Sequence, residues 1–174
     1  FSWQGGEPTL LGLGFFEKVV ALQQKHARPG QRIENDLQTN GTLLDADWAR
    51  FLKAHNFLVG LSIDGPREIH DHYRISKQGQ PTFDAVVAAA QTLRRFGVPF
   101  NTLTCVHRFN ASRPLDVYRF LRRQLGSTRL QFIPIVEPRG FETTAPEAWD
   151  PRRLPVVGSP QAGLRNPNLR VDDG

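Results

Sequence analysis

The fold class follows from the stretch Phe57-Leu58-Val59-Gly60-Leu61-Ser62-Ile63-Asp64-Gly65-Pro66. Its first seven residues are almost continuously apolar, which predicts a buried β-strand. The next three are strong turn formers, so the strand is expected to end before Asp64. A short apolar strand that runs directly into a turn is typical of a sheet whose strands alternate with helices.

Segments on both sides of this strand alternate between strand-like and helix-like spacing. Asp45 is the predicted N-cap of a helix that extends to about His55, and Thr82 is the predicted N-cap of a helix that ends at Gly97. A polar loop is predicted over residues 66–81, and a loop of that length is usually functional or mobile. Further helices are predicted over 13–26 and 115–124, and further strands over 1–3, 33–39, 99–106 and 130–136.

The resulting order is β-α-β-α-β-α-β-α-β, which predicts an α/β fold with a parallel sheet and its helices outside. The sheet is either open or closed into a barrel. In both cases ligands bind at the carboxyl ends of the strands. This rule selects four segments: Gln4-Gly5-Gly6-Glu7, Gln38-Thr39-Asn40-Gly41, Ser62-Ile63-Asp64-Gly65, and the strand end from Cys105 to His107.

Composition narrows the class of protein further. The 174 residues include one Cys and no Met, so the chain has no internal disulfide framework and no self-contained iron–sulfur or multi-Cys zinc site. No apolar run approaches the roughly 20 residues that span a bilayer, and no signal-peptide pattern begins the chain. The net charge is +5, but the basic residues are spread along the chain without interleaved aromatic residues, which argues against nucleic-acid binding.

Both ends of the chain suggest an internal segment of a longer protein. The chain begins Phe-Ser-Trp-Gln, which resembles the inside of a strand, and it contains no initiating Met. Six of the 13 prolines lie between Pro138 and Pro167, where no helical or strand-like period is visible. This last part is predicted to be a loop or linker.

The motifs that carry chemistry leave alternatives open when each is taken alone. The glycines at positions 5 and 6 let a ligand approach the backbone, and Glu7 can accept a hydrogen bond from a cationic amine, but Gly-Gly also joins strands to helices. Ser62 and Asp64 either bind a ligand or form an ordinary turn. The stretch 70–74, His-Asp-His-Tyr-Arg, is either a metal or acid–base cluster or a structural segment. Cys105 is expected to be an inert, buried thiol.

Four motifs together resemble the anaerobic sulfatase-maturating enzymes, which belong to the SPASM group of radical S-adenosylmethionine (SAM) enzymes. They are Phe-Ser-Trp-Gln-Gly-Gly-Glu-Pro-Thr-Leu at 1–10, Gln-Thr-Asn-Gly-Thr-Leu-Leu at 38–44, Leu-Ser-Ile-Asp-Gly-Pro-Arg-Glu-Ile-His-Asp-His-Tyr-Arg at 61–74, and Leu-Gln-Phe-Ile-Pro-Ile-Val-Glu-Pro at 130–138. Gly-Gly-Glu alone indicates only the superfamily. The ordered series, at matching spacing, indicates the subgroup.

The resemblance implies a partial (β/α)6 barrel, of which this chain supplies roughly the end of the second strand through the sixth. It places an incomplete barrel core at 1–137 and a Pro-rich loop or linker towards a C-terminal domain at 138–174. In the family, a [4Fe-4S] cluster binds SAM, and reductive cleavage gives a 5′-deoxyadenosyl radical. The radical removes a hydrogen atom from the β-carbon of a Cys or Ser in a sulfatase, and oxidation gives formylglycine.

The resemblance also assigns roles to individual residues. Gly5, Gly6 and Glu7 would hold the methionyl amino group of SAM, and Ser62 would contact its carboxylate. The other implied positions are Gln4 facing SAM or the substrate peptide, Thr39 and Asn40 lining the cavity, Asp64 close to the ribose, Arg74 as a carboxylate partner, and the strand around Phe132 to Pro134 beside the adenine. No residue of this chain is assigned as catalytic or as a metal ligand.

The chain departs from the family pattern in two places. It lacks the Cys-x3-Cys-x2-Cys loop that holds the cluster and the Cys-rich C-terminal domain, so we expect it to be inactive by itself. The expected partners are a sulfatase polypeptide and a reductant such as flavodoxin or ferredoxin, with no nucleic acid and no membrane, in the cytoplasm. A maturase of another peptide and a non-catalytic binding protein without a cluster are the alternatives.

Overall fold

A computed structural model describes residues 1–135. Within these residues, helices alternate with five parallel strands that form one sheet in the order β1-β2-β3-β4-β5. This confirms the predicted α/β class and the parallel sheet. The strands are β1 (Ser2–Trp3), β2 (Asp36–Thr39), β3 (Leu58–Ser62), β4 (Phe100–Val106) and β5 (Leu130–Pro134).

Helices and helical turns connect each strand to the next along the chain. They are α1 (Leu13–His26), α2 (Ala46–Ala54), α3 (Arg67–Tyr73), α4 (Phe83–Arg95), α5 (Arg108–Ala111) and α6 (Pro114–Arg119); a 3-10 turn covers Pro8–Leu11 and a π-helical turn covers Phe120–Gln124. None of the described helices is long and apolar enough to cross a membrane. The predicted linker at 138–174 lies outside the described residues.

One apolar core joins the sheet to its helices. Phe16 from α1, Leu52 from α2 and Leu93 from α4 belong to the same buried cluster as Val59 and Leu61 of β3, and all five side chains are fully buried. Burial of such side chains is the main favourable term in folding, each contributing about 1.5–3 kcal/mol. The core therefore fixes the direction of the central strand, and with it the position of the strand's carboxyl end.

The predicted loop over residues 66–81 is wrong in part, because α3 occupies Arg67–Tyr73. This helix is only seven residues long, and Ile69 and His70 are its only buried residues. A single buried apolar side chain gives no helical period that can be recognised in the sequence.

The predicted capping role of Thr82 is also wrong. Thr82 stands at the N-cap position of α4 but makes no side-chain capping bond. Instead, an oxygen of Asp71 accepts hydrogen bonds from the backbone N–H groups of Thr82 and Phe83, at 3.0 and 2.9 Å. Asp45 does cap α2, as predicted, through the N–H groups of Asp47 and Trp48.

The single helix predicted over 115–124 is divided in the structure. The helix α6 ends at Arg119, and a π-helical turn continues to Gln124. The apolar period in this region continues through both parts, so the sequence does not show the change of helix type.

Candidate functional site

The polar residues predicted to bind a ligand gather at one edge of the sheet, where the parallel strands end. We call this the polar edge; its members are Gln4 to Glu7 after β1, Thr39 and Asn40 at the end of β2, Ser62 and Asp64 at the end of β3, Arg74 after α3, and Cys105 near the end of β4. The carboxyl ends of parallel strands come together because every crossover returns the chain to the same starting edge.

The two glycines after β1 are required by their backbone conformation. Gly5 has φ +85° and Gly6 has φ +53°, a region that other residues seldom adopt. No atom lies within 4 Å of the position that a Cβ would occupy at either residue. Together with Gln4, both are exposed, so a ligand can approach the backbone here.

Glu7 joins the end of β1 to the end of β2. Its Oε1 accepts hydrogen bonds from the N–H and hydroxyl of Thr9, at 3.1 and 2.5 Å, and from the hydroxyl of Thr39 at 2.7 Å. Its Oε2 accepts one hydrogen bond, from the Asn40 N–H at 2.7 Å. Among the described residues, Oε1 thus has three donors and Oε2 has one, so Oε2 is the oxygen with room to accept a hydrogen bond from a ligand.

The end of β2 is held in a tight turn. Thr39 is buried, and its hydroxyl oxygen accepts a hydrogen bond from the Gly41 N–H at 3.0 Å. Gly41 has φ +77°, and a Cβ there would lie 2.5 Å from a methyl carbon of Leu61. The turn therefore fixes Asn40, whose side-chain oxygen accepts from the Thr42 N–H at 2.9 Å.

Asp64 and Arg74 form a buried, two-point ion pair. Arg74 Nε lies 2.6 Å from Asp64 Oδ2, and its Nη2 lies 3.0 Å from Oδ1. The Cys105 N–H donates to the same Oδ1 at 2.9 Å. The side chain of Asp64 is 3% exposed and that of Arg74 is 23% exposed. Burial lowers the pKa of Arg74, but the charge and hydrogen bonds of Asp64, together with Cys105, outweigh burial, so the pKa is raised.

Cys105 lies beside this ion pair and is partly buried rather than fully buried. Its Sγ lies 3.4 Å from Arg74 Nη2. Burial raises the pKa of the thiol, although Arg74 partly opposes the rise. The side chain is therefore a neutral thiol at pH 7, which agrees with the expectation that it is inert.

A cavity of about 780 Å³ opens between the polar edge and the segment that follows α3. Of the predicted site residues, Glu7, Asn40 and Arg74 line it. Ser62 is half-buried at the end of β3, paired in register with Leu103, and does not line this cavity. The structure thus brings an acidic acceptor and a guanidinium to the same space.

Three residues of the site make contacts that are not apparent from the sequence. Thr9 lies two residues after Glu7, and this spacing is the only local signal for its contact with the carboxylate. The other two are His70 and Thr82, whose side chains meet at 3.1 Å across 12 residues. No short motif encodes that contact, because it depends on how α3 and α4 are placed.

The described residues fit SAM but not an iron–sulfur cluster. The open glycine backbone and the available Oε2 of Glu7 suit an ammonium group, and Arg74 suits a carboxylate. Residues 1–135 contain no group of three or more His, Cys, Asp and Glu side chains that could hold a metal ion. Cys105 is the one cysteine of the chain, so thiolates from outside it would be needed for a cluster.

Comparison with known proteins identifies the family. The model of the radical SAM superfamily matches residues 1–121. The chain is 46% identical over 137 residues to the serine-type anaerobic sulfatase-maturating enzyme of Bacteroides thetaiotaomicron, covering 79% of this chain and 33% of that protein. It is 48% identical over 139 residues to the cysteine-type enzyme of Clostridium perfringens, covering 79% and 37%.

A solved structure agrees with these relatives. Native anSMEcpe with bound AdoMet and Cp18Cys peptide matches with a TM-score of 0.74 and 46% identity, over 80% of this chain and 40% of that chain. The chain spans between a third and two fifths of the length of the proteins that it matches. With the family model matching well over half of its residues, the chain belongs to the radical SAM superfamily.

Proposed function

We propose that this chain is the SAM-binding core of a sulfatase-maturating enzyme that converts a Cys or Ser of a sulfatase to formylglycine. The observation that carries the proposal is the polar edge, where Glu7 and Arg74 line one cavity. High identity to both the serine-type and the cysteine-type relatives supports the same reaction class.

The polar edge supplies complementary groups for the amino acid part of SAM. Gly5, Gly6 and Glu7 receive the amino group, because Glu7 Oε2 accepts one hydrogen bond from residues 1–135 and can accept another. Arg74 receives the carboxylate in this cavity. Ser62, which lies at the carboxyl end of β3 and outside the cavity lining, is the second proposed contact of the carboxylate. When bound and reductively cleaved, SAM supplies the 5′-deoxyadenosyl radical that removes the substrate hydrogen atom.

The remaining predicted residues shape this site. Asp64, which the family resemblance places near the ribose, is already engaged by Arg74 and by the Cys105 N–H. We assign it the role of holding the guanidinium towards the cavity. Thr39 and Asn40 brace Glu7 from the next strand, and exposed Gln4 faces SAM or the peptide.

The proposed partners follow from the same reaction. The substrate is a sulfatase polypeptide that enters at the carboxyl ends of the strands. A reductant such as flavodoxin or ferredoxin supplies the electron for SAM cleavage. We place the reaction in the cytoplasm, since chemistry of this family is sensitive to oxygen.

The test uses the full-length protein that contains this chain, purified without oxygen and with its clusters reconstituted. The enzyme is incubated with SAM, a chemical reductant and a sulfatase-motif peptide containing Cys, or a matched peptide containing Ser. We expect mass spectrometry to show conversion of the thiol or hydroxyl to an aldehyde, together with 5′-deoxyadenosine. A peptide with Ala at the target position is the control.

Two results would contradict the proposal. SAM cleavage with neither peptide oxidised would make the enzyme a maturase of a different peptide. No SAM binding and no SAM cleavage would remove the radical reaction altogether and leave a binding protein.

A further inference from the structure

His70 is fully buried on α3, four residues before Arg74, and takes part in a closed ring of hydrogen bonds. The Asp64 N–H donates to its Nδ1 at 3.4 Å, and its Nε2 lies 3.1 Å from Thr82 Oγ1. Thr82 Oγ1 donates in turn to the Arg74 carbonyl at 2.6 Å. The Arg74 guanidinium closes the ring on the Asp64 carboxylate.

The ring determines where the proton of His70 must be. A backbone N–H only donates, so Nδ1 must be the acceptor that faces Asp64. The Thr82 hydroxyl hydrogen is used on the Arg74 carbonyl, so Nε2 must donate to Thr82 Oγ1. His70 is therefore neutral, with its hydrogen on Nε2. Burial, together with the Arg74 charge, lowers the pKa of His70 to about 4, which agrees with this assignment.

The ring contacts both partners of the ion pair through their backbones. It holds Asp64 at its N–H and Arg74 at its carbonyl, while the two side chains hold each other. A guanidinium that is paired at one end and fixed at its backbone has few orientations open to it. The conformational entropy of the Arg74 side chain is therefore lost when the protein folds and not when the ligand binds.

We propose that His70 is a positioning residue for SAM binding, which acts through Thr82 to hold Arg74 towards the cavity. The proposal rests on the proposed function, because it takes SAM as the ligand of Arg74. His70 and Thr82 line the same cavity as Arg74, but both ring nitrogens of His70 are engaged by Asp64 and Thr82, so His70 does not itself bind SAM. It orients the Arg74 guanidinium, which binds the SAM carboxylate.

The test measures SAM affinity in the full-length, reconstituted enzyme. Thr82→Val removes the hydroxyl and keeps the shape, and Thr82→Ser restores the hydroxyl. His70→Phe removes both ring nitrogens, and His70→Gln keeps a donor for Thr82. We expect Thr82→Val and His70→Phe to weaken SAM binding by roughly tenfold, with partial or full recovery in Thr82→Ser and His70→Gln. KM for SAM should rise with kcat little changed.

Val98→Ala is the control for a general loss of stability. Val98 is buried at the opposite end of the sheet, just before β4. We expect this variant to bind SAM as the wild type does. Equal weakening in Val98→Ala would mean that binding follows stability alone, which would overturn the positioning role.

The outcomes separate this inference from the proposed function. A wild-type enzyme that binds no SAM contradicts the proposed function itself. A wild type that binds SAM, with Thr82→Val and His70→Phe binding equally well, overturns only the role of His70. The same conclusion follows if Thr82→Ser is as weak as Thr82→Val, because the hydroxyl would then not matter.

Discussion

At the scale of single residues, the site is organised before any ligand arrives. The Asp64 carboxylate is nearly inaccessible and accepts three hydrogen bonds, two of them from Arg74. Removing one partner of a buried ion pair leaves an uncompensated charge, at a cost of about 3–5 kcal/mol. The pair therefore makes the carboxyl end of β3 intolerant of substitution, whether or not SAM is bound.

His70 predicts a specific pH dependence of stability. An unfolded His titrates near pH 6.5, whereas burial and the Arg74 charge lower the pKa of native His70 to about 4; Asp64 and Asp71 oppose this. As the pH falls from 6.5 to 4, His70 binds a proton in the unfolded state but stays neutral in the native state. Stability is complete above this window and decreases within it, by about 3 kcal/mol in all.

The measurement is the thermal midpoint of the full-length enzyme against pH, for wild type and for His70→Gln. The variant does not titrate at this position, so its midpoint should decrease less between pH 6.5 and pH 4. Burial also lowers the pKa of His107, but that effect is common to both proteins and cancels. Parallel curves for the two proteins would show that His70 is not buried in its neutral form.

The sequence was enough to predict that the strand-end residues lie at one edge of the sheet. It was not enough to predict which residues they form hydrogen bonds with. Glu7, Thr39, Asn40 and Asp64 lie at strand ends or soon after them, and the parallel-sheet rule is enough to bring them together. The contact of Glu7 with Thr39 crosses 32 residues, so it depends on the register of β1 and β2. No local pattern encodes such a distance.

At the scale of elements, α3, the segment after it and α4 form a connected unit beside the cavity. Two contacts across 11 and 12 residues join α3 to the start of α4, both through an oxygen of Asp71. Asp71 thus takes the role that the sequence assigned to Thr82. Because the cavity lies against this segment, its wall depends on a cap supplied from another helix.

Asp71→Ala should destabilise the start of α4. The substitution leaves two N–H groups of the first turn without their acceptor and removes a negative charge from the helix N-terminus. The expected cost is about 1–2 kcal/mol. Hydrogen exchange of the amides at 83–87 should be faster in the variant, and SAM binding weaker.

Asp84→Ala is the matched control, since it also removes a carboxylate at the start of α4 but not one that caps the helix. The Asp84 side chain is 80% exposed, and within residues 1–135 its ion-pair partner is Arg67; such an exposed ion pair contributes little to stability. Exchange at 83–87 should change much less in this variant. Equal effects of the two substitutions would assign the stabilisation to charge alone and not to the cap.

The helices that were not predicted from the sequence were missed for one physical reason. The helices α1, α2 and α4 each span nine or more residues, and their buried faces give a clear period. By contrast, α3 and α5 have seven and four residues, too few for a period to be recognised. Long amphipathic helices are predictable from sequence, whereas short connecting helices depend on tertiary contacts.

At the scale of the whole molecule, the position of the site depends on the sequential, all-parallel order of the five strands. The alternation of strands and helices predicted the parallel sheet, and the family resemblance implied the sequential strand order of a partial barrel. The alternation left open whether the sheet is flat or curved into a barrel, since local patterns do not determine curvature. The TM-score of 0.74 to a SAM-bound relative indicates the same arrangement of strands around a common edge.

The most direct test of the central claim is the structure of the full-length, reconstituted enzyme with SAM bound. We predict that the SAM amino group lies within hydrogen-bonding distance of Glu7 Oε2, and that its carboxylate faces Ser62 and Arg74. The Asp64–Arg74 pair should keep its present geometry. SAM bound away from the carboxyl ends of β1 and β3, with Glu7 contacting only Thr9, Thr39 and Asn40, would contradict the account.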